Sequence, residues 1–193
     1  WDFDGVNVSS EPDYTFIIER NLIIEPIYDV YSSDLVFEYV KESNSYIVTG
    51  YEGVHTYAFD MFIPEHYNDG TNGLKKVTHI ANEALMHTNY MRQVTIGKGV
   101  IEIGERAFFG CGNLVQVILP DSLATIGEEC FTSCFNIKEI NIPKNVRNIA
   151  STAFTRLTQL EKINVNIENE FYKSVNGILF SKDESVLYCY PAN

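Results

Sequence analysis

The chain has 193 residues, of which 45% are hydrophobic, so it can bury a core and we do not expect disorder. Its formal net charge of −12 at pH 7 repels phosphate groups, which argues against nucleic acid or an anionic membrane as the main partner. No stretch approaches the roughly 18 consecutive apolar residues of a membrane-spanning helix, and we expect no membrane insertion.

The N-terminal part of the chain contains no repeat. β-Prone runs at 14–18 and 21–24 predict a short β segment of unknown role within residues 1–34. Residues 35–63 predict a hairpin, because two runs alternate with period two on either side of the turn-prone segment Glu42–Asn44. We interpret this hairpin as a cap for the segment that follows it.

Residues 62–167 contain about four repeats with a spacing of 23 residues. An isoleucine followed by Ala or Gly marks each repeat, at Ile80, Ile103, Ile126 and Ile149. A period of this length is typical of a solenoid, in which each repeat stacks on its neighbour. The composition of one repeat predicts two short strands, a turn, and one helical or 3₁₀ turn. The expected fold is therefore an α/β solenoid that is rich in β structure.

Four inward-facing columns should form the core of this solenoid, because no single repeat can bury its apolar residues alone. The columns are Val77, Val100, Leu123 and Val146; Leu85, Phe108, Phe131 and Phe154; Met91, Leu114, Ile137 and Leu160; and Val94, Val117, Ile140 and Ile163.

Two departures from the repeat follow in the sequence. Val77 lies 14 residues after Ile63, whereas the matching distance from Leu119 to Leu123 is 4 residues, so the first repeat contains an insertion. Insertions in solenoids emerge on one face and sometimes bind ligands, but a tolerated surface loop is the simpler explanation. The candidate loop residues are His66, Tyr67, Asn68 and Asp69. After residue 167 the period stops, and residues 168–193 predict a C-terminal hairpin cap.

The outward positions of the first strand in each repeat are the candidate partner-binding face. They form two neighbouring columns, made of Gln93, Gln116, Glu139 and Lys162 and of Thr95, Ile118, Asn141 and Asn164. A parallel sheet offers such residues as a contact surface, with Ile118 as a small apolar anchor. Ordinary solvated strand positions are the alternative explanation.

Catalytic and metal-binding patterns are weak. His79, Glu83 and His87 have the spacing of zinc ligands on one face of a helix, but the repeat register places a turn between them. We therefore predict no metal site, no cofactor and no catalytic residues.

Cys111 and Cys134 lie 23 residues apart and so should be neighbours in the stack. Buried free thiols are favoured, and a disulfide is the alternative.

The repeats resemble the BspA-like leucine-rich repeat family. The resemblance rests on Ile103-Gly104, Ala107-Phe108 and Cys111, on their counterparts one repeat later, and on the Leu119-Pro120 and Ile142-Pro143 strand ends. It covers roughly residues 35–193 and implies a right-handed stack of short strands with short helical or 3₁₀ turns and hairpin caps at both ends. It carries over no catalytic residue.

The resemblance also implies a function and a location. It suggests a non-enzymatic module of a secreted or bacterial cell-surface protein, which binds a protein or glycan ligand or acts in adhesion. A structural spacer that presents another domain is the alternative, and an enzyme such as a hydrolase is a remote one.

Overall fold

The computed structural model describes residues 34–191, together with the backbone of three short strands before them. The β-prone runs predicted at 14–18 and 21–24 lie outside the described residues. In chain order the strands are β1 (Asp2–Phe3), β2 (Val6–Asn7), β3 (Asp29–Val30), β4 (Leu35–Val40), β5 (Ser45–Tyr51), β6 (Phe59–Ile63), β7 (His66–Tyr67), β8 (Lys75–Ile80), β9 (Met91–Ile96), β10 (Glu102–Ile103), β11 (Gln116–Ile118), β12 (Thr125–Ile126), β13 (Glu139–Ile142), β14 (Asn148–Ile149), β15 (Lys162–Val165), β16 (Tyr172–Val175), β17 (Ile178–Ser181) and β18 (Leu187–Cys189).

The repeats stack through parallel strands in the register that the sequence predicts. On one side of the stack, β9 pairs with β11 and β13 pairs with β15, so that Val94 faces Val117 across the first pair. On the next side, β8, β10, β12 and β14 form a continuous ladder in which Ile103 lies between Ile80 and Ile126. Each pairing joins residues 23 positions apart, which confirms the period and the solenoid.

All sixteen residues of the four predicted columns are buried. The phenyl rings of Phe108 and Phe131 stack with centroids 5.2 Å apart, and those of Phe131 and Phe154 stack at 6.0 Å. The rings are nearly parallel, at 5° and 13°, because successive coils present the same side chain at the same backbone position. The core is therefore one continuous apolar column system along the stack.

The third side of each coil is built differently from the prediction. Where one helical or 3₁₀ turn was expected, residues 105–110 and 128–133 form consecutive turns, and the described part of these segments contains no helix. Arg106, Glu129 and Ser133 have φ of 54°, 50° and 64°, in the left-handed region, and Gly110 has φ of 71°. These left-handed residues interrupt any right-handed helix.

This arrangement of turns creates a second set of hydrogen bonds between coils. The N–H groups of Arg106, Phe108 and Gly110 donate to the carbonyl oxygens one coil later, of Glu128, Cys130 and Thr132, at 2.8, 3.0 and 2.9 Å. Alternate amides thus point along the stack, whereas those between them close turns within the coil. We call residues 82–88, 105–111, 128–134 and 151–157 the turn segments.

The cysteines of the core are free thiols. Cys111 donates to the carbonyl oxygen of Leu85 at 3.2 Å, and Cys134 donates to that of Phe108 at 3.1 Å. The repeated geometry explains the 23-residue spacing without a disulfide. Burial raises the pKa of the Cys130 thiol, which keeps it protonated and unreactive.

Both ends of the stack carry antiparallel caps. At the N-terminal end, β4 and β5 form the predicted hairpin, and β5 continues into the ladder by pairing with β8. At the C-terminal end the cap has three strands, β16, β17 and β18, where the sequence predicted a two-stranded hairpin. The additional turn is Asn176-Gly177, in which both residues have positive φ of 52° and 83°, as a two-residue hairpin turn requires.

The phenylalanine column provides a test of the stacking. Replacing Phe131 by Ala should lower the free energy of unfolding by about 3–5 kcal/mol, since it leaves a cavity between two stacked rings. The matched control is Phe135→Ala, because the Phe135 side chain is 45% exposed and should lose only about 0.5 kcal/mol. Urea denaturation measures both changes. Equal losses in the two variants would contradict the stacked core.

Candidate partner-binding face

The ladder face consists of the outward-pointing side chains of β6, β9, β11, β13 and β15. Pairing places Gln93 beside Gln116 and Thr95 beside Ile118, and farther along Glu139 beside Lys162 and Asn141 beside Asn164. The eight residues proposed from the sequence therefore lie beside their equivalents within each of these two strand pairs.

The structure adds Phe62 to this face. It pairs with Thr95 in the register of β6 and β9, and its side chain is 45% exposed. Phe62, Thr95 and Ile118 consequently form one stripe across three strands. In the sequence, Ile63-Pro64 corresponds to Leu119-Pro120, so Phe62 corresponds to Ile118. The insertion after Pro64 breaks the 23-residue spacing, so counting in steps of 23 does not find Phe62.

The C-terminal half of the ladder face is occupied by its own interactions. Lys162 forms an ion pair with Glu139 at 2.9 Å, and the Asn164 amide donates to the Asn141 side-chain oxygen, also at 2.9 Å. The Asn164 amide also donates to Glu139. Four of the eight predicted residues are therefore engaged with one another, and a partner would have to replace these contacts.

The N-terminal half has more free side chains. Within the described part of the chain, Gln93 and Gln116 make no side-chain hydrogen bond, and Ile118 remains 41% exposed. One ion pair borders this half, in which Arg92 contacts the carboxylate of Asp60 through two nitrogens at 2.9 and 3.2 Å. The surface combines a short apolar stripe with amides that are free to hydrogen-bond.

A shallow groove of about 320 Å³ lies at the C-terminal end of this face. Leu119, Asp121, Asn141, Ile142, Pro143, Asn164, Val165 and Asn166 line it. Amides and one carboxylate surround an aliphatic floor. These groups suit hydrogen bonding to a polar ligand, but they provide no nucleophile paired with a base.

The insertion in the first repeat is an ordered part of the N-terminal cap. His66 and Tyr67 form β7, which pairs with β8, and the Tyr67 ring stacks on Phe37 at 3.9 Å. The Asp69 carboxylate accepts hydrogen bonds from the backbone of Thr71 and Asn72 within its own loop. Of the four candidate loop residues, His66 and Tyr67 are half-buried, whereas Asn68 and Asp69 are exposed.

The histidine pattern is dispersed. His79 lies on β8 and pairs with Glu102, whereas Glu83 and His87 are left-handed turn residues with φ of 59° each. The three residues therefore do not share a helix, which agrees with the turn that the repeat register predicted between them. Among residues 34–191, no cluster of three or more His, Cys, Asp or Glu side chains is arranged to hold a metal ion. In the same range, no helix combines the length and hydropathy needed to cross a bilayer.

Asp69 provides a test of the ordered insertion. Asp69→Ala should remove the acceptor for Thr71 and Asn72 and expose their amides to exchange, whereas Asp121→Ala, at an exposed aspartate, should not. Hydrogen bonds from Asn72 hold the pKa of Asp69 below its ordinary value of 3.8. These bonds are therefore present at neutral pH and should be lost only as the pH falls through the lower pKa of the folded state. Hydrogen exchange measured by NMR between pH 6 and pH 3 checks this; loss of protection above pH 4 would contradict it.

Comparison with known proteins supports the fold. A family model for the BspA type leucine-rich repeat region matches residues 73–184 in six copies. No curated protein matches the chain. Among solved structures, a leucine-rich repeat protein from Bacteroides capillosus is 31% identical, with a TM-score of 0.62 over 71% of this chain and 97% of the other.

Two more distant structures share the fold alone. A leucine-rich repeat protein from T. pallidum is 22% identical with a TM-score of 0.54, and the match covers 70% of each chain. One from Bacteroides ovatus is 23% identical with a TM-score of 0.55, and the match covers 78% of this chain and 41% of that one. The period, the stacked columns and these matches lead to one conclusion: the chain belongs to the BspA-type leucine-rich repeat family.

Proposed function

We propose that this chain is a non-enzymatic binding module that contacts a protein partner through the N-terminal half of its ladder face. The observation that supports this most directly is the stripe formed by Phe62, Thr95 and Ile118. Its two large apolar side chains, Phe62 and Ile118, are 45% and 41% exposed and flank Thr95 on the two strands that pair with β9.

An apolar stripe surrounded by hydrogen-bonding groups has the composition of a protein contact. Aromatic side chains are enriched where proteins meet, and the flanking Gln93 and Gln116 amides could satisfy polar groups at the rim. The central strand β9 is held by backbone hydrogen bonds to β6 on one side and β11 on the other, so binding should require little reorganisation of the sheet.

The chemistry of the described residues favours binding over catalysis. The carboxyl groups with a lowered pKa, Asp69 and Asp183, each accept hydrogen bonds inside their own loops. Neither carboxylate is matched with a base or a nucleophile in a shared cleft. A hydrolase would require titratable groups that converge on one cleft. The hydrolase is therefore the weakest of the candidate functions.

A spacer is the second candidate function, and it predicts a different surface. A segment that only separates two domains needs a polar exterior, whereas Phe62 and Ile118 expose apolar surface that binding to a partner would bury.

The relatives compared above come from bacteria, and we propose a location at a bacterial surface or in the secreted fraction. Adhesion would be one use of such a module.

The ladder-face proposal can be tested with matched variants. The double variant Phe62→Ser, Ile118→Ser should lose most capture of partner protein from bacterial surface extracts and host-cell extracts. The control is Phe135→Ser, Ile101→Ser, because these side chains are exposed to 45% and 43% but do not lie on the ladder face. Quantitative mass spectrometry of the captured proteins measures the difference.

Each outcome separates the candidate functions. Equal capture by both double variants would contradict a role for the stripe, and absence of capture by the unmodified chain would favour the spacer. Extracts treated with protease or with glycosidases distinguish a protein from a glycan ligand. Capture that survives protease but not glycosidase would contradict the protein partner.

A further inference from the structure

The groove at the C-terminal end of the ladder face lies where a column of prolines in the repeats ends. Pro120 and Pro143 follow the strands of two successive coils, and Asn166 occupies the equivalent position in the next coil. The Asn166 N–H donates to the carbonyl oxygen of Ile142 at 2.9 Å, a bond that a proline at this position cannot make. The replacement therefore helps to pair the coils and adds a side-chain amide to the groove.

Hydrogen bonds among the groove's side chains fix the direction of each amide. The Asn164 Nδ2 group donates to Asn141 at 2.9 Å and to Glu139, which uses both of its protons and leaves the Asn164 Oδ1 atom as an acceptor. Because the Asn141 Oδ1 atom accepts, the Asn141 Nδ2 group remains a donor. The Asn166 Oδ1 atom accepts from the Glu168 N–H at 2.9 Å, so the Asn166 Nδ2 group is a second donor.

The Asp121 carboxylate adds a charged acceptor at the exposed rim of the groove. No basic side chain among residues 34–191 forms an ion pair with it. Lys144, the next residue in the same column, pairs instead with Glu168 at 3.5 Å. The rim therefore combines one anionic group with neutral amides, in a chain whose formal net charge is −12.

The floor between these polar groups is aliphatic. Ile142 is buried, and Leu119 and Val165 are half-buried beside it. The groove has a volume of about 320 Å³, at the lower end of the roughly 300–1,000 Å³ range of small-molecule sites. A flat protein surface would have to replace the hydrogen bonds between the asparagines, whereas a small ligand needs only the atoms that those bonds leave available.

We infer that this groove binds a neutral sugar residue of a glycan. A sugar hydroxyl both donates and accepts hydrogen bonds, so neighbouring hydroxyls of one ring match a rim that combines donors and acceptors. The C–H groups of a pyranose ring are apolar and suit the aliphatic floor. An acidic sugar is disfavoured, because its carboxylate would lie beside Asp121 while Lys144 and Lys162 are already paired.

Nuclear magnetic resonance of the full chain with simple sugars tests this site. The probes are the methyl glycosides of glucose, galactose, mannose and N-acetylglucosamine, each titrated alone, and methyl glucuronide is the acidic counterpart. At least one neutral probe should shift the side-chain NH₂ signals of Asn141 and Asn166, whereas those of Gln93 and Gln116 should not move. A dissociation constant of about 1 mM is expected, since a shallow groove contacts only part of a small ligand.

Variants locate the binding. Asp121→Ala should weaken it about tenfold, because the change removes a charged acceptor, and Asn141→Ala should weaken it as well. The matched control is Asn148→Ala, at an exposed asparagine on β14 of the same coil, which should bind as the unmodified chain does. Urea denaturation should give the same midpoint for Asp121→Ala and the unmodified chain, which separates lost binding from lost folding.

The groove and the stripe of Phe62 and Ile118 are separate sites, and their failures are distinguishable. The variant Phe62→Ser, Ile118→Ser should bind the sugar normally, and Asp121→Ala should still capture a protein partner. Four results would overturn the sugar site: no shift with any neutral probe, tighter binding of the glucuronide than of the neutral probes, shifts confined to Gln93 and Gln116, or equal affinity in Asp121→Ala and Asn148→Ala.

Discussion

The structure depends on hydrogen bonding between coils whose residues are 23 positions apart. One side is held by the continuous ladder of β8, β10, β12 and β14, and a second by the pairs β9–β11 and β13–β15. Turn-to-turn hydrogen bonds hold the third side. That registration brings like side chains together, so the rings of Phe108, Phe131 and Phe154 stack and the thiols of Cys111 and Cys134 make equivalent contacts. A shift of one residue would turn the strand residues of the core toward water, which is why the register is strongly specified.

The same registration organises the surface. An outward residue in one repeat lies beside its equivalent in the next. Sequence differences between repeats therefore change the polarity of the face from one end to the other. From Phe62 to Ile118 the ladder face is apolar with free amides beside it, whereas from Asn141 to Asn164 it is a network of side chains bonded to one another. The two halves therefore have different binding properties although they share one backbone.

Ending a solenoid is a separate physical problem from building it. The caps satisfy the strand sides, as Tyr172 and the three-stranded C-terminal sheet show. They do so with antiparallel strands, whose geometry does not continue the turn side.

The sequence by itself determined the period, the four core columns and the residues of the ladder face, since these depend only on residue spacing along the chain. The stacked structure decided the rest. Turns replaced the predicted helical segment because left-handed residues such as Glu129 and Arg106 let alternate amides bond to the next coil. Phe62 joined the ladder face across an insertion, and Glu139 and Lys162 became partners instead of free groups. These features arise between coils, and a pattern read within one coil does not contain them.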